Sequence, residues 1–161
     1  MNQSRIDRIQ QSWLIGQARG RCLHVGCGSK PIAGAVNIDP NPDRARWVDY
    51  PYDVHALPFG DGTFDSILSN HVLPALRDLP VAMHEMIRVL RPGGRMAHVI
   101  PAWLYAPRRF SDRHIWDHQH QGWNGPEAFR PFAAQFEELE IVTLESFTEF
   151  DWSFKFLAVR R

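Results

Sequence analysis

An α/β fold, with a mostly parallel, doubly wound sheet ending in a C-terminal antiparallel hairpin, is the class this sequence predicts. Three observations carry it. Short apolar runs of strand length alternate with segments of helical period through most of the chain. A glycine turn, Gly26-Cys27-Gly28, directly follows the first such run. The last two runs lie only about six residues apart, too close for a helical crossover, so they pair antiparallel.

The first element is a helix from Ser4 to about Gly16, with Ile6, Ile9, Trp13 and Leu14 at helical spacing. Ser4 is the candidate cap, and Gly16 or Gly20 ends it. Arg21 to Val25 and Ala35 to Ile38 read as short buried strands, and Trp47 to Asp53 as a third strand or extended run. Phe64 to Ser69 is a fuller strand, and a helix follows from Pro74 or Leu79 through Leu90. Arg91-Pro92-Gly93-Gly94 is a turn by composition, because Pro presets φ and Gly allows positive φ. Arg95 to Ile100 is the next strand, and Pro101 to Gly125 is a long irregular segment of the kind that forms functional loops or lids. Pro126 to about Leu139 is helical, with Ala128, Phe129, Phe132, Phe136 and Leu139 on one side. Ile141 to Phe147 and Phe154 to Val159 close the sheet.

At 161 residues the chain reads as one domain, 1–161, with an N-terminal helix within 1–20 and a substrate loop or lid at 101–125. Lys plus Arg and Asp plus Glu number 18 each, so no net charge marks a polyanionic partner. The start has no apolar core of signal-peptide length and no run reaches membrane-spanning length, so a cytoplasmic protein without a membrane partner is expected. Cys22 and Cys27 lack the repeated pairs of a zinc site and read as reduced thiols.

Gly26 and Gly28 let the backbone turn and approach a ligand without a Cβ in the way. A dinucleotide fingerprint needs a third glycine where this chain has Pro31, and a helix to receive the pyrophosphate. Only about eight residues separate Gly26 from Ala35, too few for that helix. S-adenosylmethionine fits such a loop better, because it carries no phosphate. Asp39, ending the second strand, is placed to accept from both ribose hydroxyls; its alternative role is a turn residue before Pro40.

Asp53 through Phe59, with Gly60-Asp61-Gly62-Thr63-Phe64-Asp65, resembles the D-x-x-x-L-P-F-x-D-x-x-F-D segment of class I S-adenosylmethionine-dependent methyltransferases, a Rossmann-like family. The resemblance continues through Ile67 to Leu73 and Glu85 to Gly94, and upstream through Leu23 to Gly28 and Asn37-Ile38-Asp39, where it is similar to a compact branch with a short first crossover. It implies a cofactor site in which Gly26, Cys27 and Gly28 line the methionine moiety and Asp39 holds the ribose. Asp53 would accept from the adenine amino group, Val54 would offer its backbone N–H, and Asn70 and His71 would border the methyl. Leu57, Phe59 and Phe64 are read as packing, and Asp65 as a local hydrogen-bonder. Relatives carry Glu-His where this chain has Pro74-Ala75, and an acid where it has His24, so those roles do not transfer.

Methyl transfer from a sulfonium is an in-line displacement that depends largely on positioning, and a base is needed only when the acceptor must lose a proton. His71 is the candidate catalytic base, its other reading being a residue that orders the loop or touches the cofactor's carboxylate. Trp103, Tyr105, Arg109, His114 and Trp116 are the candidate substrate residues. His114, His118 and His120 are weighed for zinc, but no cysteine lies within reach, and no metal is expected. The resulting expectation is a small-molecule methyltransferase. Its rivals are a degenerate cofactor-binding module serving as a partner subunit, and a protein methyltransferase.

Overall fold

The structure is a computed structural model describing residues 2–102, 123–150 and 152–161. Its elements run α1 (Gln3–Ile15), β1 (Cys22–Val25), β2 (Val36–Ile38), β3 (Phe64–Asn70), α2 (Leu79–Val89), β4 (Leu90–Pro101), α3 (Pro126–Ala133), β5 (Leu139–Ser146) and β6 (Ser153–Arg160). Six strands form one sheet in the order β2-β1-β3-β4-β6-β5. The first four are parallel neighbours, and β6 inserts antiparallel between β4 and β5. The predicted fold class holds, including the closing hairpin.

Period-two alternation divides the strands between two faces. Leu23, Val25, Ile67, Met96, Phe154 and Phe156 point into a large apolar cluster with Met83 and Met86 of α2 and Phe129 of α3. Cys22, Leu68, Ala97, Val99 and Leu157 point the other way, where Leu14 of α1 covers them with Ile9 and Trp13 beside it. Both cysteines are buried and free.

Several boundaries move, each for a local reason. Asn2, not Ser4, caps α1: its Oδ1 accepts from the Arg5 N–H at 3.0 Å and from the Ser4 hydroxyl at 3.0 Å. Of the third strand only a single parallel bridge, Ile38 to Tyr50, is formed. Arg91 to Gly94 do not separate α2 from a later strand. β4 already begins at Leu90, opposite Phe64, and the extra residues before Arg95, opposite Ser66, are taken up as a bulge in which Gly93 has φ +74°. α3 stops at Ala133, with Pro131 inside it, and Ala128 is exposed, off the buried stripe of Phe129, Ala133, Phe136 and Leu139.

The LPF segment is bolted to α2 by Arg88. Its guanidinium donates to the carbonyls of Leu57 (2.9 Å) and Phe59 (2.8 Å) and pairs with Glu85 and Asp61, while Glu85 accepts from the Leu57 N–H at 2.8 Å. Leu57 and Phe64 are buried and Phe59 packs against them, in keeping with a packing role. Asp65 accepts from the Arg21 N–H and pairs with Arg91, in keeping with a local structural one.

His98, fully buried on β4, meets the Ser69 hydroxyl at 2.6 Å and stacks on Phe156, and its Nε2 has no hydrogen-bond partner. Burial pushes its pKa down to about 3. The unfolded chain therefore binds a proton at His98 that the folded chain refuses, and stability is lost as pH falls below the ordinary histidine range. The loss attributable to His98 between pH 6.5 and 5 is expected to be about 2 kcal/mol. Urea titrations across that range test this: His98→Phe is expected to flatten the slope, and an unchanged slope refutes the assignment.

Candidate active site

Parallel strands end on a common edge of the sheet, and a large cleft opens there, beyond β1, β2 and β3, as α/β topology favours. A cavity of about 950 Å³ is bounded by Gly26 to Lys30, Asp39, Asn70, His71 and the polar face of α1. A second, of about 340 Å³, lies beside Tyr52, Asp53 and Val54. Gly26, Pro40, Val72, Ala75 and Leu76 line both, so the two are compartments of one cleft.

The glycine turn shapes the larger compartment. Gly26 and Gly28 have φ of +60° and +55°. A Cβ on Gly26 would lie 2.5 Å from the Val72 side chain, whereas one on Gly28 would meet nothing within 4 Å. The Cys27 N–H donates to the Ile38 carbonyl at 3.1 Å, and the Gly28 N–H donates to Asp39 Oδ2 at 2.9 Å. Burial pushes the Cys27 thiol up to about 11, so it stays protonated.

Asn37 replaces the absent crossover helix. Its carboxamide accepts from the Ile32 N–H (2.8 Å) and from His24 Nδ1 (3.0 Å), and donates to the carbonyls of Ile32 (3.1 Å) and Ala35 (3.0 Å). His24 is thereby given a structural partner, and burial holds its pKa below the ordinary value.

Asp39 accepts one backbone N–H on each oxygen, from Gly28 and from Asn41 at 2.9 Å. A carboxylate has about four acceptor positions, so about two remain for a ligand. The turn role leaves acceptor capacity on Asp39. Asp53 is more heavily used: Oδ1 accepts from the His55 N–H (2.9 Å) and faces His55 Nδ1 (2.5 Å), while Oδ2 pairs with Arg77 (2.7 Å). Burial raises its pKa, but the hydrogen bonds from His55 and Arg77 outweigh that and keep it below the usual carboxylate value.

Past β3 the chain turns at His71, which has φ +60°, a conformation few non-glycine residues adopt. Its N–H donates to the Val99 carbonyl at 2.8 Å, and its ring meets Trp152 edge-on. Burial pushes its pKa down to about 4, so the ring is neutral near pH 7. Next to it, Asn70 Oδ1 is a buried acceptor with no hydrogen-bond partner.

The structure thus brings Gly26, Cys27, Gly28, Asp39, Asp53, Val54, Asn70 and His71 around one cleft. Trp103, Tyr105, Arg109, His114 and Trp116, and the histidines at 118 and 120, lie outside the described residues. Among the described residues no three metal-ligating side chains cluster. None of the described helices is long and apolar enough to cross a membrane. The sequence did not single out Asp7, Gln10, Lys30, Trp152 and Ser153. The one available signal was Gln10, a polar residue four positions from both Ile6 and Leu14 on the buried face of α1.

These features define a Rossmann-like fold with a two-compartment cleft at the ends of its parallel strands. Residues 23–98 match the model of the family described as "Methyltransferase domain". It is 43% identical over 103 residues to a 37.1 kDa protein in transposon TN4556 of Streptomyces fradiae, covering 50% of this chain and 30% of that one. It is 33% identical over 79 residues to the 2-phytyl-1,4-naphtoquinone methyltransferase of Thermosynechococcus vestitus, covering 49% and 34%. The chain therefore spans about a third of the length of these relatives. In fold it is similar to geranyl diphosphate C-methyltransferase from Streptomyces coelicolor, with a TM-score of 0.69 at 14% identity, covering 98% of this chain and 78% of that one. S-adenosylmethionine is the cofactor of this class. The residues present fit it: an open glycine cradle, spare acceptors on Asp39 and the unsatisfied oxygen of Asn70.

Alanine at the two glycines is expected to separate strain from collision. Gly28→Ala carries only the left-handed backbone penalty, about 1–2 kcal/mol. Gly26→Ala adds the clash with Val72 and is expected to be clearly less stable in urea unfolding. Equal losses would show that the Val72 contact does not constrain the turn.

Proposed function

We propose that this chain is an S-adenosylmethionine-dependent methyltransferase acting on a small-molecule acceptor. The observation that carries the reading is the pairing of Gly28 with Asp39 at the mouth of a two-compartment cleft, with spare acceptors facing it. Bound there, S-adenosylmethionine supplies a methyl group activated on a sulfonium. Gly26, Cys27 and Gly28 give its methionine part close backbone approach, and Asp39 accepts from the ribose hydroxyls. The smaller compartment takes the adenine, with the remaining acceptor position of Asp53 for the amino group and the Val54 N–H for the ring. Asn70 and His71 border the methyl.

For the acceptor we keep the residues the sequence offers, Trp103, Tyr105, Arg109, His114 and Trp116, whose aromatic and cationic side chains are of the kinds that bind small organic and anionic groups. The quinone-ring relative supports a small organic acceptor. The chain acts as a single methyltransferase domain over residues 1–161, and its neutral charge favours neither nucleic acid nor membrane as substrate.

Titration calorimetry with S-adenosylmethionine and S-adenosylhomocysteine tests the cofactor reading. Wild type is expected to bind both, and Asp39→Ala to bind at least tenfold more weakly, because hydrogen bonds to a charged acceptor contribute about 1.5–3 kcal/mol each. Equal affinity of the two proteins, or no heat from either, refutes the site. Transfer of labelled methyl to a panel of small acceptors then distinguishes an enzyme from a binding module.

A further inference from the structure

We infer that Gln10 is a positioning residue that fixes His71 as a neutral ring protonated on Nδ1, so that the ring's lone pair is engaged within the protein and does not serve as a general base. This inference rests on reading the cleft as the methyl-transfer site. Gln10 is 1% exposed on α1, and Ser153, at the start of β6, is fully buried. The Gln10 amide nitrogen donates to Ser153 Oγ at 3.1 Å and stands 3.2 Å from His71 Nε2, while Ser153 Oγ is 3.1 Å from the same Nε2. Three elements distant in sequence thus converge on one ring nitrogen. With a lone pair on Nε2 the ring accepts from the Gln10 amide and the Ser153 hydroxyl together; a proton there could reach Ser153 Oγ but would face the Gln10 amide as a second donor. A neutral imidazole with Nε2 as acceptor carries its proton on Nδ1.

The described surroundings agree with a neutral ring. Asp7 on α1 favours the charged form and Lys30 opposes it, the two being paired at 2.8 Å; among the described residues Gln10, Ser153, Trp152 and the Val99 carbonyl also stand against His71. The positive φ of His71 fixes the ring's origin at this turn. The chemical consequence concerns the acceptor. A histidine held this way does not take a proton from an alcohol. The transfer then favours acceptors that present a lone pair at neutral pH without help, such as a carboxylate, a thiolate or an unprotonated amine.

Long-range ¹H–¹⁵N correlation spectra of histidine-labelled protein, recorded without cofactor, read the tautomer directly. Wild-type His71 is expected to show the Nδ1–H pattern from pH 8 to 5. Gln10→Glu places a carboxylate against Nε2 and is expected to draw a proton there, raising the ring's titration midpoint by at least one pH unit. Gln10→Leu, which keeps the volume but removes the donor, is expected to lose the Nδ1–H preference. Ser153→Ala, which leaves Gln10 in place, is expected to retain it. Thermal unfolding of each variant separates a change at the ring from a loss of fold. An Nε2–H pattern in wild type, or unchanged His71 signals in folded Gln10→Leu, overturns the assignment. Because the spectra need no cofactor, they can fail while the calorimetry succeeds, and the reverse.

Discussion

The site depends first on a single carboxamide. A crossover from β1 to β2 of this length cannot include a helix, so its backbone groups have no internal ladder to satisfy them. Asn37 supplies the missing partners: one side chain, 6% exposed, binds Ile32 through both its N–H and C=O, takes the Ala35 carbonyl and anchors His24. Its own N–H is held by Asp49 at 2.7 Å. With the crossover closed in this way, β2 lies in register beside β1, and Asp39 emerges where the Gly28 N–H can reach it. A dinucleotide fold meets a pyrophosphate with a helix N-terminus at this point. Here an asparagine closes the loop, and the crossover offers no helix N-terminus to a phosphate.

The same sheet edge receives its other wall from far along the chain. α1 covers one face of the sheet with Leu14 and Ile9 and turns Gln3, Asp7, Gln10 and Gln11 toward the cleft. β6 inserts next to β4, and that topology carries Trp152 to the cleft and Ser153 against Gln10 of α1. The antiparallel hairpin therefore contributes to the site as well as to the core: without β6 in its inserted position, nothing from the C-terminal third among the described residues would touch His71.

Much of this was legible in the sequence where one local rule dominated. Short apolar runs gave the strands, the six-residue gap gave the hairpin, and Gly26-Cys27-Gly28 followed by Asp39 gave the centre of the cleft. The errors occur where two rules compete. Ser4 and Asn2 are both good caps, and geometry chose Asn2. Arg91 to Gly94 have turn composition, yet pairing of Leu90 before them and Arg95 after them with β3 absorbed them as a bulge in β4. Phe129 and Phe136 share the buried stripe, but Ala128 falls off it. Gln10 escaped notice because a polar residue on an apolar helical face has meaning only once its partners, Ser153 and His71, are known. Those contacts span 143 and 61 residues, and no local pattern encodes them.

The electrostatics of the cleft bear on how it could accelerate a reaction. The Cys27 thiol is held up at about 11 and the His71 ring down at about 4, each by burial. His24 is lowered by burial and tied to Asn37. Burial raises Asp7, but hydrogen bonds from Lys30 and Gln3 outweigh it and leave the carboxylate below its ordinary value. General acid–base catalysis works best with a group whose pKa lies near the working pH, and these four groups are all displaced from it. In-line displacement on a sulfonium does not need one. It needs an acceptor lone pair held on the axis of the departing sulfur, for which effective concentration alone can supply about 7–11 kcal/mol. The described walls suit that requirement. A strained turn at His71, a closed asparagine crossover and a glutamine bridging three elements fix geometry and leave the proton chemistry to the acceptor.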